Sequence, residues 1–148
     1  MASDDDAVAR RPWHLWAVGV LSLIWNAGGA VDYVMTKTHN AAYLANFTPE
    51  QLAWFDSFPP VMTVAWAVGV WGAVLGSLLL LLANRWAVWA FTASLAGLVI
   101  GTVYQFGVSA MPASLNTPAG MAFTAALWIG AVLLLWYAIR MRACGVLR

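Results

Sequence analysis

Charge is scarce in this chain. Of its 148 residues, 9% are Asp, Glu, Lys or Arg and 63% are hydrophobic. A soluble domain carries roughly 25% charged residues, so the sequence cannot supply a water-facing surface. Seven Lys+Arg and six Asp+Glu leave no clustered basic footprint for nucleic acid. The hydrophobic content excludes a disordered chain. Cysteine occurs once, at Cys144, which excludes an intramolecular disulfide. The only histidines, His14 and His39, lie outside the deep apolar stretches. A haem- or metal-bearing bundle needs several inward-facing His, Cys or carboxylate ligands, so no metal and no cofactor is expected. The apolar stretches hold no nucleophile–base pair and no paired carboxylates, and the sequence therefore predicts no enzyme.

What is present is four long apolar runs, about 13–35, 61–83, 87–109 and 119–139. A bilayer core of about 30 Å takes roughly 20 apolar residues as helix. Each run must be helical, because lipid offers no partner to an open backbone. The sequence thus predicts an all-α fold, a single integral membrane domain built as a four-helix bundle. Tails 1–12 and 140–148 and an outer loop 36–60 account for most of the remainder.

Arginine sets the orientation. Arg10 and Arg11 precede the first run, Arg85 lies in the short turn between the second and third, and Arg140, Arg142 and Arg148 follow the fourth. All six fall on one side if both termini share a compartment, and the positive-inside rule makes that side the cytoplasm. Opposite them stand only Lys37, Glu50 and Asp56. Trp13, Trp16, Trp86, Trp89, Trp136 and Tyr137 mark one interface, and Tyr33, Tyr43, Trp54, Phe55 and Phe58 the other. A rival pattern is a signal peptide, Arg10–Arg11 leading through an apolar run to Gly28–Gly29–Ala30. The acidic Asp4–Asp6 and the bulky Trp25–Asn26 argue against it.

In the outer loop, Thr48–Pro49–Glu50–Gln51 has the form of a capping box with proline at the first helical position. It predicts a short helix from Pro49 to about Ser57, ended by Pro59–Pro60. Leu52, Trp54, Phe55 and Phe58 make that helix too apolar for free solvent. Two roles fit it: a passive anchor at the outer interface, or a lid over an outward-facing cavity.

Small residues recur at Gly69, Gly72, Ala73 and Gly76 in the second run and at Ala93, Gly97 and Gly101 in the third. That spacing predicts close helix packing, within one chain or between chains. Ser77, Ser94 and Thr124 can satisfy their hydroxyls on their own helices. The Leu78–Leu82 run is expected to face lipid. The pentapeptide Trp-Ala-Val-Gly-Val at 16–20 and 66–70 enters the membrane from opposite sides and reads as coincidence.

Asp32 is the one ionisable side chain within a span, and such a residue is a functional candidate by default. At the interface it can simply be hydrated; covered by the loop helix it can bind a proton near neutral pH. Asn26, near mid-span, needs a partner, either an interhelical hydrogen bond or a ligand. Trp25 and Asp32 share a stripe with the flat Gly28–Gly29 patch. Tyr104 and Gln105 lie at matching depth in the third span. Together, Trp25, Asn26, Asp32, Tyr104 and Gln105 predict a polar, aromatic ligand pocket opening outward between the first and third spans. Trp25, Trp71 and Trp128 lie deep, where they serve either as packing or as a face for a sugar-like ligand.

The segments His14–Leu15–Trp16, Trp25–Asn26–Ala27–Gly28–Gly29, Asp32–Tyr33 and Phe47–Thr48–Pro49–Glu50–Gln51, with the aromatic stretch to Phe58, resemble a group of small four-span proteobacterial inner-membrane proteins often labelled "sugar transporter". The resemblance covers nearly the whole chain. It implies a multi-pass protein of the bacterial inner (plasma) membrane and implies no specific binding residues. The chain lacks the membrane-embedded Glu of small multidrug transporters and the Pro-Gln motif of three-helix sugar carriers. Two functions are in view: transport of a polar, sugar-like small molecule, and a non-transporting structural or accessory role. Four helices enclose little space, so transport would need a homo-oligomer, and an accessory role would need a membrane partner. The lipid bilayer is a partner in either case, and nucleic acid in neither.

Overall fold

The structure is a computed structural model that describes residues 11–148. Asp4–Asp6 and Arg10, which carry part of the charge pattern, lie outside the described residues. The described chain is all-helical, in the order α1 (Trp13–Lys37), α2 (Ala41–Leu44), α3 (Pro49–Asp56), α4 (Pro60–Leu81), α5 (Ala87–Val103) and α6 (Pro118–Ala143). A π-helical turn, Tyr104–Val108, continues α5. Four of these helices, α1, α4, α5 with its π turn, and α6, are long and apolar enough to cross a membrane. The protein is therefore a multi-pass membrane protein in its architecture.

Local chemistry sets the boundaries. The Thr48 side chain accepts from Gln51 N–H at 3.3 Å, and Gln51 Oε1 accepts from Thr48 N–H at 3.0 Å. This reciprocal capping box starts α3 at Pro49 as its spacing predicts. Pro59 and Pro60 then separate α3 from α4, with Pro60 in the first turn of the new helix. The span boundaries differ from the sequence-based ranges by up to four residues, most at the end of the last span, and one element is new. The last span continues past Ile139 to Ala143, since Arg140 and Arg142 in its final turn complement the helix dipole. The one-turn helix α2 was not anticipated; the Asn40 side chain caps it by accepting from Tyr43 N–H at 3.0 Å.

Helix α4 is the spine of the bundle, packed most extensively on α5 and next on α1, while α6 rests on α5. The α4–α5 crossing is close because glycines line it. A Cβ placed on Gly97 would fall 2.5 Å from the Ala65 carbonyl oxygen and 2.6 Å from Gly69 N. The small-residue spacing thus brings these two helices together within one chain, as van der Waals packing in lipid requires. The same proximity lets Ser94 Oγ donate to the Gly69 carbonyl at 2.6 Å. That corrects the expectation that Ser94 bonds within its own helix. Ser77 and Thr124 do bond their own helices, to Ala73 O and Gly120 O.

The main apolar core sits at the arginine-bearing end. Leu15, Leu80, Ala87, Phe91, Ala138 and Leu147 cluster there. Leu80 is fully buried, so the Leu78–Leu82 run divides: Leu78 and Leu82 stay exposed and Leu80 turns inward. After α6 the chain folds back. Arg148 N–H donates to Ala83 O at 2.9 Å and Arg85 N–H to Arg148 O at 3.0 Å. This exchange ties the α4–α5 turn to the segment after α6.

Helix α6 is held more loosely than the others. It meets α1 through long side chains: His14 Nδ1 and the Tyr137 hydroxyl share a hydrogen bond at 2.6 Å, and Trp25 approaches Phe123 with ring centroids 6.2 Å apart. Exposed apolar residues on the four long helices, among them Leu21, Val64, Val103 and Leu133, form the surface that the hydrocarbon would cover.

Candidate functional site

Of the site residues named from sequence, Asp32, Tyr104 and Gln105 fall toward the end of the bundle opposite the arginines, Trp25 and Asn26 lie near mid-span, and each has its own partner. Asn26 Nδ2 donates to Ser77 Oγ at 3.0 Å and to Ala73 O at 3.3 Å, both on α4. Asp32 Oδ1 accepts from the Tyr43 hydroxyl at 2.5 Å. Gln105 Nε2 lies 3.1 Å from Met111 Sδ, just beyond the π turn. The Tyr104 ring meets Phe58 edge-on at 5.7 Å. Trp25 is 47% exposed and touches Phe123.

Among the described residues no hydrogen bond joins Asn26, Asp32 and Gln105 to one another. The α1 polar groups turn to α4 and α2, whereas Gln105 turns to the loop before α6. Trp128, the deepest tryptophan of α6, donates from Nε1 to Thr102 Oγ1 at 3.1 Å. Thr102 in turn donates to Leu98 O at 2.8 Å. Hydroxyls such as Thr102, Ser77 and Thr124 are thus satisfied on their own helices, while Asn26, Ser94 and Trp128 bond across helix contacts, as hydrocarbon surroundings demand.

One part of the anticipated site is open. A Cβ on Gly28 or Gly29 would meet nothing within 4 Å. The flat glycine patch of α1 is therefore uncovered by the other described residues, next to the half-exposed Trp25.

The outer loop supplies what sequence reasoning missed. Helix α3 folds against the bundle through aromatic rings. Phe55 stacks on Trp66 of α4 at 6.4 Å and 19°, and Phe58 packs on Trp66 and on Tyr104. Tyr33 of α1 meets Trp66 edge-on at 5.0 Å. Lys37 Nζ lies 5.6 Å from the Trp66 ring centre and 3.4 Å from Thr63 Oγ1. Trp66 is the hub of this end, but in sequence it is one tryptophan among ten. Gln51 Nε2 donates to Ser114 Oγ at 3.2 Å, so α3 also touches the loop before α6. Trp54 Nε1 is buried among the rings without a hydrogen-bond acceptor.

Tyr43 is the second missed residue; its sequence context suggested only an interfacial ring. Its pKa is pushed up from 10.0 to about 12, first by burial and then by the Asp32 carboxylate that accepts its hydrogen bond. At physiological pH the phenol is a donor to Asp32. The signal that would have found it is the Asn40 cap, which starts a helical turn and aims Tyr43 back at α1.

Among the described residues no group of three or more His, Cys, Asp or Glu is arranged to hold a metal ion. No protein-family model, curated protein sequence or solved structure matches this chain.

Proposed function

We propose that this chain is a non-transporting accessory protein of a bacterial plasma membrane, acting by association within the bilayer with a second copy of itself or with another membrane protein. The arginine end faces the cytoplasm in this reading, following the positive-inside rule. Helix α3 lies at the outer interface, where its aromatic side chains favour the headgroup depth.

The observation that carries the proposal is that Asn26, Asp32 and Trp128 are each committed to a partner on another helix. Asn26 is committed to Ser77 and Ala73, and Trp128 to Thr102. A solute pathway needs polar groups left available to the solute, whereas these hold helices together. No constellation for covalent or acid–base chemistry enters the proposal. The test combines two measurements on purified protein in proteoliposomes. Cross-linking should trap a defined oligomer or a stoichiometric partner, and labelled-sugar flux should match empty vesicles. Saturable flux above that background would sink the proposal.

A specific observation supports a second reading, transport of a polar, sugar-like molecule. The uncovered Gly28–Gly29 patch beside Trp25 and the Asp32–Tyr43 pair beneath the loop helices form a path along one flank of α1. An oligomer can enclose that flank. Proton-coupled uptake that disappears in Asp32→Asn, with the fold intact, would favour this reading; unchanged uptake would remove Asp32 from it.

A further inference from the structure

The arginine end carries a feature that neither function uses. Arg85, Trp86, Trp89 and Arg142 line a pocket of about 180 Å³. It is smaller than the roughly 300–1,000 Å³ of sites that bury a drug-sized molecule. Its lining is two guanidinium groups and two indoles. The fold assembles it from two distant parts of the chain. Arg85 and Trp86 belong to the α4–α5 turn, Trp89 to the first turn of α5, and Arg142 to the last turn of α6.

The assembly is fixed from beneath. The backbone exchange between Arg148 and Ala83–Arg85 clamps the two parts together, and Leu147, 4% exposed, anchors the returning segment in the core. The Asn84 side chain accepts from Trp86 N–H at 2.9 Å, which holds the turn in shape.

No acidic side chain of the described fold lies at this end. The acidic side chains among the described residues are Asp32, Glu50 and Asp56, and all three lie at the opposite end of the bundle. Arg140, two residues before Arg142 on α6, is engaged differently, with its guanidinium 5.9 Å from the Trp136 ring centre. Two guanidinium groups in one pocket are suited to the tetrahedral oxygens of a phosphate, which they can grip in bidentate fashion. The first turn of α5 adds the positive end of a helix dipole. Trp86 and Trp89, 57% and 58% exposed, have the amphipathic rings that settle at headgroup depth.

We propose that this pocket binds a phosphate group, presented by the headgroup of an anionic phospholipid. Basic pockets between membrane helices on the cytoplasmic side recognise such headgroups through charge and hydrogen bonding. The acyl chains would run along the apolar flank between α5 and α6. The assignment rests on the membrane architecture alone and holds under either function proposed above.

The experiment is native mass spectrometry of the full chain in a neutral detergent, titrated with phosphatidylglycerol, phosphatidylcholine or inorganic phosphate. Phosphatidylglycerol should bind more tightly than phosphatidylcholine. Arg85→Gln and Arg142→Gln should each weaken it about fivefold, and the double variant about 30-fold. Arg140→Gln, outside the pocket, should leave the affinity unchanged. A large excess of inorganic phosphate should fail to displace the lipid. Wild-type affinity in both single variants would overturn the site, as would an equal loss in Arg140→Gln, which would show a general charge effect. Full displacement by inorganic phosphate would overturn the lipid as its occupant. The single variants keep one guanidinium each, so the test stands even if the double variant does not fold.

Discussion

Tyr43 donates its hydroxyl proton to Asp32 at 2.5 Å, linking the C-terminal end of α1 to a single helical turn in the loop beyond it. The one carboxylate within a span is thereby committed to a phenol that the fold keeps protonated. Burial is the larger cause of that protonation and the carboxylate the smaller. Asp32→Asn should therefore lower the pKa of Tyr43 only part of the way back to that of an exposed tyrosine. Tyrosinate absorbance against pH checks this, and a return to the ordinary value would show that the carboxylate dominates.

The same pair gives a pH dependence with a definite sign. The folded state holds the Tyr43 proton up to about pH 12, against 10.0 for a free phenol. Between those values the folded state binds more protons than the unfolded one, so stability falls as pH rises. The contribution is complete below pH 10 and is lost across that window. Tyr43→Phe should flatten the alkaline decline in thermal stability. An identical decline in the variant would remove Tyr43 as its source.

Gly97 and Gly28 should respond oppositely to the same change. Gly97→Ala forces a Cβ against the backbone of α4 at Ala65 and Gly69. Overpacking of this kind costs about 1–3 kcal/mol. Gly28→Ala enters open space and should leave the bundle at least as stable. Thermal unfolding of the two variants in the same detergent compares them directly. Equal loss in both would mean the α1 patch is covered in the assembled protein.

The Asn26–Ser77 contact predicts a measurable coupling. A cycle of Asn26→Leu, Ser77→Ala and the double variant should give about 0.6 kcal/mol, with roughly 1.7 kcal/mol as an upper bound for hydrogen bonds between membrane helices. Zero coupling would mean that Asn26 is satisfied elsewhere, by Ala73 O or by water, and would weaken the accessory reading.

Breaking the capping box tests how the loop helix is held. Thr48→Ala removes the acceptor for Gln51 N–H and should cost about 1 kcal/mol of helix stability. Hydrogen exchange should rise in α3 and leave α4 unchanged. Unchanged exchange in α3 would show that the Phe55, Phe58 and Trp66 rings hold the helix without its cap.

The legible parts of the fold were those dictated by one dominant force. Hydrocarbon requires long apolar helices, so the four spans follow from composition alone. The capping box at Thr48–Gln51 is a local code and placed α3 correctly. Glycine spacing located the α4–α5 crossing. Partner choice was harder to see, because it depends on which faces meet. Ser94 bonds to Gly69 only because the two helices come so close, and Asn26 turns to α4, not toward Gln105 on α5. The same applies to Trp66: its sequence context is ordinary, and its importance comes from three aromatic neighbours and a lysine, supplied by α1, α3 and the segment after α3. The Asp32 partner was hidden because a four-residue helix has too few positions to show a period.

Helix α6 has 26 residues and is about 39 Å long, several ångströms more than a bilayer core of about 30 Å. Helix α4, at 22 residues and about 33 Å, nearly matches it. Its last turn, with Arg140 and Arg142, extends into the headgroup layer, and α6, resting chiefly on α5, is the span with the most room to tilt as the bilayer changes. Membrane thickness then becomes a mechanical input. A thinner bilayer would swing α6 outward about its contact with α5, while the α4–α5 pair stays upright. Spin labels on α6 and α4 in bilayers of graded acyl length would register that swing as a distance change, and a constant distance would show α6 pinned.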